Sequence, residues 1–296
     1  MKRKNILLIS IAVFTAFFVV YFAAEYYLTG KAEKRIETLA LKADEFVDIK
    51  YGKVKYFLIK NDLVISDLVM TVDNQNKITI DKAVIDQIDS KSRIPSSLVV
   101  SLKEINLVNQ ENESILNNAF KTLGYKEEMP LEINVDYKYN KDTKIFDINA
   151  FEIFSKNAGK LTFSFNFSNI SFEKVAFLPG LISEINPVLL EGASIKLSDN
   201  SITGKFLFTV AQLIKMDLPD FRKLLDLQID FYAKQINNSL TSEISSESID
   251  KLKNFIASPD EIIFIASPSE PVPLNTFYIN YNKPIKLLNI LNFQIR

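Results

Sequence analysis

The chain is 296 residues long and nearly neutral, its 35 Lys and Arg interspersed among 36 Asp and Glu, and no basic stripe marks it as a nucleic-acid binder. It contains no cysteine and no histidine, which excludes disulfides and every Ser-His or Cys-His nucleophile pairing. Its seven glycines form no phosphate-cradling loop, so composition argues against an enzyme and points to no cofactor or metal.

Lys2-Arg3-Lys4 precede an uncharged apolar run from Ile6 to Ala24. At about 1.5 Å per residue that run makes a helix of roughly 28 Å, close to the hydrocarbon thickness of a bilayer. It is longer than a signal-peptide core, and Tyr21 to Tyr27 offers no small-x-small cleavage pattern, so a retained anchor is favoured over a cleaved leader. We expect a transmembrane anchor over 1–28, with Tyr21, Tyr26 and Tyr27 in an interfacial aromatic belt. Leu28, Ala32, Ile36, Leu39 and Ala43 recur at helical spacing and predict a juxtamembrane helix over 29–45.

From residue 46 the period changes to two, and the remaining chain is long enough for a substantial core. Leu63 to Val72 is apolar on both faces, as a strand covered on both sides would be. Ile78, Ile80, Val84 and Ile88 alternate with polar positions. Leu98, Val100 and Leu102 then lie on even positions and Ile105 and Leu107 on odd ones, which predicts a bulge near Lys103-Glu104. Residues 112–123 read as a short helix, with Leu116, Ala119, Phe120 and Leu123 on one face and Gly124 as its C-cap. Leu131–Tyr139 and Leu161–Phe167 alternate without error, and Phe146, Ile148, Ala150 and Phe154 between them share a parity. Turn-forming residues at 140–143 and 156–159 complete a three-strand antiparallel meander over 131–169.

The chain then turns helical after a strand near Ala193–Leu197. Amphipathic stripes are predicted at Ile202, Phe206, Val210 and Leu213, at Phe221, Leu224, Leu225, Tyr232 and Ile236, and at Ile249, Leu252, Phe255 and Ile256. A strand at Glu261–Ala266, a Pro-rich link over 268–273, a short helix near Pro284–Leu291 and a terminal strand at Phe293–Ile295 follow. The expected architecture is α+β: an N-terminal transmembrane helix, antiparallel β-meander sheets and a C-terminal group of amphipathic helices. Residues 46–296 form the extramembrane α+β domain, strand-rich over 46–175 and helix-rich over 176–296.

Two fragments have the form of catalytic motifs. Ser198-Asp199-Asn200 and the Ser248 to Lys251 pair match two elements of penicillin-binding proteins, but in the wrong order and without a following Lys-Thr-Gly. The first reads better as turn and cap residues, and the second as the wet side of a helix. Asp86/Asp89 and Glu127/Glu128 read as solvated surface charges. No catalytic residue is assigned. The one candidate site is an apolar face made by Val135, Tyr137, Tyr139, Phe146, Phe154, Phe163, Phe165 and Phe167. It serves either as a core covered by the three late helices or as a partly covered groove for an acyl chain or other apolar ligand.

Several stretches together carry a family resemblance: the N-terminal anchor, Leu123-Gly124-Tyr125 leading into Leu131–Tyr139, the segment Ala193–Ile202 opening the helical part, and Pro268–Leu274. They resemble a group of uncharacterised single-pass proteobacterial envelope proteins and, more loosely, the AsmA-like superfamily. The resemblance implies an inner-membrane protein with a cytoplasmic N-terminus, its bulk in the periplasm, and a non-enzymatic part in handling or organising envelope lipids. The implied partners are the inner membrane through residues 6–24, a lipid or other apolar ligand, and an envelope protein if the chain is instead an anchored scaffold. A hydrolase acting without histidine is the remaining and weakest alternative.

The topology is directly testable. Alkaline phosphatase fused after Arg296 should be active and after Lys4 inactive, and replacing Lys2, Arg3 and Lys4 with Asn should scramble that orientation.

Overall fold

A computed structural model describes residues 21–38, 40–41, 47–72, 76–86, 95–108, 114–172, 187–237 and 245–296. Lys2 to Val20, Leu39, Ala43, Ile88, Asp89 and the 112–113 start of the expected short helix lie outside the described residues. Among the described residues no helix is long and apolar enough to cross a membrane. The chain is mixed α and β, and its strand pairs are antiparallel.

It divides into two compact units, Met1–Gln87 with Val100–Ile115, and Ile88–Val99 with Leu116–Arg296. Strands from the helix-rich part pair directly with the meander, so early strands and late helices belong to the same unit.

In the first unit, helix α1 (residues 21–38) leads to β1 (Val47–Lys50), β2 (Lys53–Phe57), β3 (Asp62–Val72) and β4 (Asn76–Asp86). β1 and β2 both pair with β3, and β3 pairs with β4. α1 is tied to β2 by a hydrogen bond from the Tyr56 amide to Thr29 Oγ1 at 3.0 Å and an ion pair between Lys55 and the buried Glu25 at 3.6 Å. Phe22, Tyr26 and Tyr27 on α1 are exposed. The unit also holds most of β5 (Ser97–Val108), in which Glu104 has φ 53° at the predicted phase slip. A left-handed residue inside a strand is the mark of a bulge.

The second unit contains α2 (Ile115–Thr122), which ends at Gly124 with φ 81°, the left-handed conformation a glycine C-cap adopts. The meander follows as β6 (Leu131–Asn140), β7 (Ile145–Ser155) and β8 (Gly159–Ser168). The sheet continues through β9 (Leu189–Asp199), β10 (Glu261–Ala266) and β12 (Phe293–Ile295), with the two-residue β11 (Val272–Pro273) also on β9. Between β9 and β10 lie α3 (Ile202–Leu213), α4 (Leu218–Asn237) and α5 (Ser246–Ala257). After β11 come α6 (Asn275–Ile279) and α7 (Pro284–Ile290).

β7 carries one residue more than either neighbour. Ile148 opposes Tyr137 while Ala150 opposes Asp136, and against β8 the pairing jumps from Ile148–Phe165 to Phe151–Phe163. Such a bulge exchanges the two faces of the strand beyond it. β9 has a second irregularity, where Asn166 opposes Gly192 but Phe167 opposes Leu190.

The late helices build small cores of their own. Leu207 and Ala211 on α3 and Phe221 on α4 are buried together, with Val210, Leu225 and Ile256 against them. The predicted α3 stripe is therefore rotated: Phe206 and Leu213 are exposed. Lys205, Thr209 and Gln212, at i, i+4 and i+7, mark the wet side of α3, and the buried Leu207 and Ala211 lie opposite them. Tyr125, Met129 and Ala158 form another cluster, with Phe120, Leu123 and Ile202 packed on it. It joins α2, the β7–β8 turn and the start of α3, where the Ala158 carbonyl accepts hydrogen bonds from the amides of Asn200, Ser201 and Ile202.

Gly159 closes the β7–β8 turn at φ 147°, and a Cβ there would lie 2.6 Å from the Ser198 carbonyl oxygen. Gly159→Ala should therefore cost about 1–3 kcal/mol in chemical denaturation. Gly204, inside α3 with open space around it, is the matched comparison. There alanine should add about 0.5–1 kcal/mol.

Candidate functional site

Residues directly opposite one another in an antiparallel sheet point to the same face. From the register, Tyr139, Phe146 and Phe167 share a face, as do Tyr137, Ile148 and Phe165, and Val135, Phe151 and Phe163. Seven of the eight proposed residues thus belong to one apolar surface. The exception is Phe154, which opposes Glu132 and Lys160 on the other face. Its parity with Phe146 holds in the sequence but is broken by the bulge, and Phe151 and Ile153 occupy the positions it was expected to share.

The aromatic rings form a continuous surface. Phe163, Phe165 and Phe167 stack at 6.4 and 5.7 Å between centroids, Phe151 lies 6.0 Å from Phe163, and Tyr137 lies 5.2 Å from Phe146. Tyr139 is buried, packs edge-on against Phe172 and donates through its hydroxyl to the Ile170 carbonyl at 3.3 Å. Burial raises the pKa of the Tyr137 phenol above its ordinary value, which keeps it neutral.

The three phenylalanines of β8 remain only half-buried. α3 and α4 pack on each other, and α5 docks on β10 and β12. Ser248 makes that docking specific: it is buried, and its hydroxyl donates to the Ile295 carbonyl at 3.1 Å. It is therefore not on the wet side of its helix. Lys251 is salt-bridged to exposed Glu247 at 3.1 Å.

Toward β12 the apolar face deepens into a pocket of about 340 Å³. Phe165, Phe167, Leu190, Ala193 and Ile195 line it from β8 and β9, and Phe264, Ala266 and Phe293 from β10 and β12. Leu274, Phe277 and Leu291, from the segment holding α6 and α7, complete its lining. Sequence reading found Phe165 and Phe167 but missed the rest. Ala193 and Phe264 alternate correctly within their strands, yet nothing in the sequence says that β9 joins β8 or that β10 joins β9.

The opposite face of the same strands is polar and internally paired. Glu152 accepts hydrogen bonds from Lys160 at 2.9 Å, Asn134 at 3.2 Å and Thr162 at 3.4 Å. Ser164 pairs with Ser194 at 2.8 Å, and Asn149, at the bulge, donates to Asp136 at 3.0 Å. The fragment Ser198-Asp199-Asn200 is structural. Asp199 accepts from the Thr203 amide at 2.8 Å at the start of α3, and Asn200 donates to the Lys156 carbonyl at 2.8 Å. Glu127 and Glu128 are exposed, and no cluster of acidic residues among the described residues could hold a metal ion.

Residues 152–296 match the model of a family described as an uncharacterized protein. The span runs from within β7 to the C-terminus and includes every residue that lines the pocket. No curated protein matches the chain.

The hydrogen bond from Lys160 leads the causes that lower the pKa of Glu152 below the usual carboxylate range. A depressed folded-state pKa contributes stability that is present above the unfolded value of roughly 4.3 and is lost as pH falls through the folded value. Glu152→Gln should thus cost up to about 1 kcal/mol at neutral pH, limited by solvent screening of a partly exposed pair. The difference from wild type should shrink steadily in denaturation curves recorded as pH is lowered below about 4.

Proposed function

We propose that this chain is a single-pass inner-membrane protein, anchored through residues 6–24, whose periplasmic part binds an apolar ligand without transforming it, in the handling or organisation of envelope lipids. The observation that carries the reading is the open apolar pocket on a half-buried phenylalanine face, in a sheet whose other face is polar and paired. Folded proteins rarely leave so continuous an apolar surface to water unless something occupies it. The exposed Phe22, Tyr26 and Tyr27 at the exit of the apolar run suit a membrane interface, and the AsmA-like resemblance points the same way.

A second reading, an anchored scaffold for another envelope protein, is favoured by a different surface. Phe206, Phe208 and Leu213 on α3 and Leu227 and Phe231 on α4 are each more than half exposed, from 53% to 76%. Phe206 with Leu213, and Leu227 with Phe231, share a side of their helices, and apolar side chains so exposed suit a protein partner better than a small molecule.

Native mass spectrometry of the full-length protein purified in mild detergent should show retained lipid. Phe167→Asp, which brings a carboxylate into the pocket, should abolish retention and leave the circular-dichroism spectrum native. Wild-type protein free of lipid, or a folded variant with undiminished lipid, would count against the first reading.

A further inference from the structure

The strand register gives the pocket a defined floor. Phe165 on β8 opposes Ala193 on β9, Ala193 opposes Ala266 on β10, and Ala266 opposes Phe293 on β12. Two alanines thus lie side by side between two phenylalanines. The row on one side, Ile195 and Phe264, is large, and on the other Leu190 follows Ala193 across the β9 irregularity. Adjacent strands are about 4.8 Å apart, so the small-residue floor is only two strands wide and is walled on four sides.

At about 340 Å³ the pocket is at the small end for ligand sites, which run from roughly 300 to 1,000 Å³. Among the described residues its lining holds no charged side chain, and the one hydroxyl residue there, Ser194, is paired to Ser164. A buried head group would meet no partner there, at a cost too high for a binding site to bear.

Resting on the lipid reading above, we infer that the pocket takes a single straight hydrocarbon chain end-on, its terminal methyl against Ala193 and Ala266 and its head group outside. These two alanines set the depth of insertion. The site selects by chain length and branching and is indifferent to head-group charge.

The test uses full-length protein in nanodiscs and palmitic acid carrying a diazirine at its methyl end, with crosslinked peptides mapped by mass spectrometry. Crosslinks should fall on the strand segments around Ala193 and Ala266. Straight-chain fatty acids should compete about fourfold better per added methylene until the pocket is full. Ala193→Leu and Ala266→Leu should bring that plateau to shorter chains, whereas Ser164→Ala on the polar face should not move it. Hexadecanol should match palmitate within about threefold. A methyl-branched acid should compete roughly tenfold worse or more. If palmitate competes and hexadecanol does not, or if both alanine variants fold and leave the plateau unchanged, end-on insertion is overturned and lipid binding stands. Crosslinks confined to other segments overturn this site. If, in addition, no lipid is retained by the purified wild-type protein, the lipid reading falls with it.

Discussion

Side chains alternate along a strand with a period of two, so one inserted residue exchanges the faces of everything beyond it. β7 contains such an insertion between Ile148 and Phe151, and the character of the second unit's sheet depends on it. Without it, Phe151 and Ile153 would point to the side of Glu132, Asn134 and Lys160. Glu152 would then face Phe163 and Val135, where its charge would have no partner. With it, the aromatic residues of three strands gather on one side. Glu152, Lys160, Asn134 and Thr162 meet on the other.

The second constraint concerns where the helices go. A sheet with one apolar face normally buries it under helices or a second sheet. Here α3, α4 and α5 lie between β9 and β10 in sequence and are held near their own strand ends. Three amides at the start of α3 bond the Ala158 carbonyl in the β7–β8 turn, and Lys205 donates to the Gly124 carbonyl at 3.1 Å while lying over the Tyr125 ring. At the other end of the helical segment, Ser248 is bonded to Ile295. These polar contacts cost little entropy once the turns are formed, and they tie the helical segment to the β7–β8 turn at one end and to β12 at the other.

The pocket follows from both constraints. The bulges align the apolar rows, the helical segment is tied at its two ends, and Ala193 and Ala266 provide the small residues in a row otherwise flanked by phenylalanine. Apolar surface of this kind offers shape and dehydration but no chemistry. On the opposite face the Glu152 carboxylate is engaged with lysine, asparagine and threonine.

Local features were legible in the sequence because they are set by neighbours. The alternation of Leu131–Tyr139 and Leu161–Phe167 specifies strands whatever surrounds them, and Glu261–Ala266 and Phe293–Ile295 were likewise readable at their observed bounds. Gly124 announced a helix end because a left-handed residue is needed there. Parity beyond Ile148 was not legible, since nothing in the composition of β7 marks where an extra residue is accommodated, and so Phe154 was placed on the wrong face. The buried side of α3 was legible but missed: Lys205, Thr209 and Gln212 lie together opposite Leu207 and Ala211, whereas the stripe through Phe206 and Leu213 rested on spacing alone. By itself the sequence determined an α+β chain of antiparallel strands with an aromatic sheet face and no histidine-based chemistry. Only the tertiary structure decided that β8, β9, β10 and β12 bring Ala193 and Ala266 together on that face. That meeting depends on pairings between strands separated by an intervening helical segment, and local periodicity carries no information about which distant strands find each other.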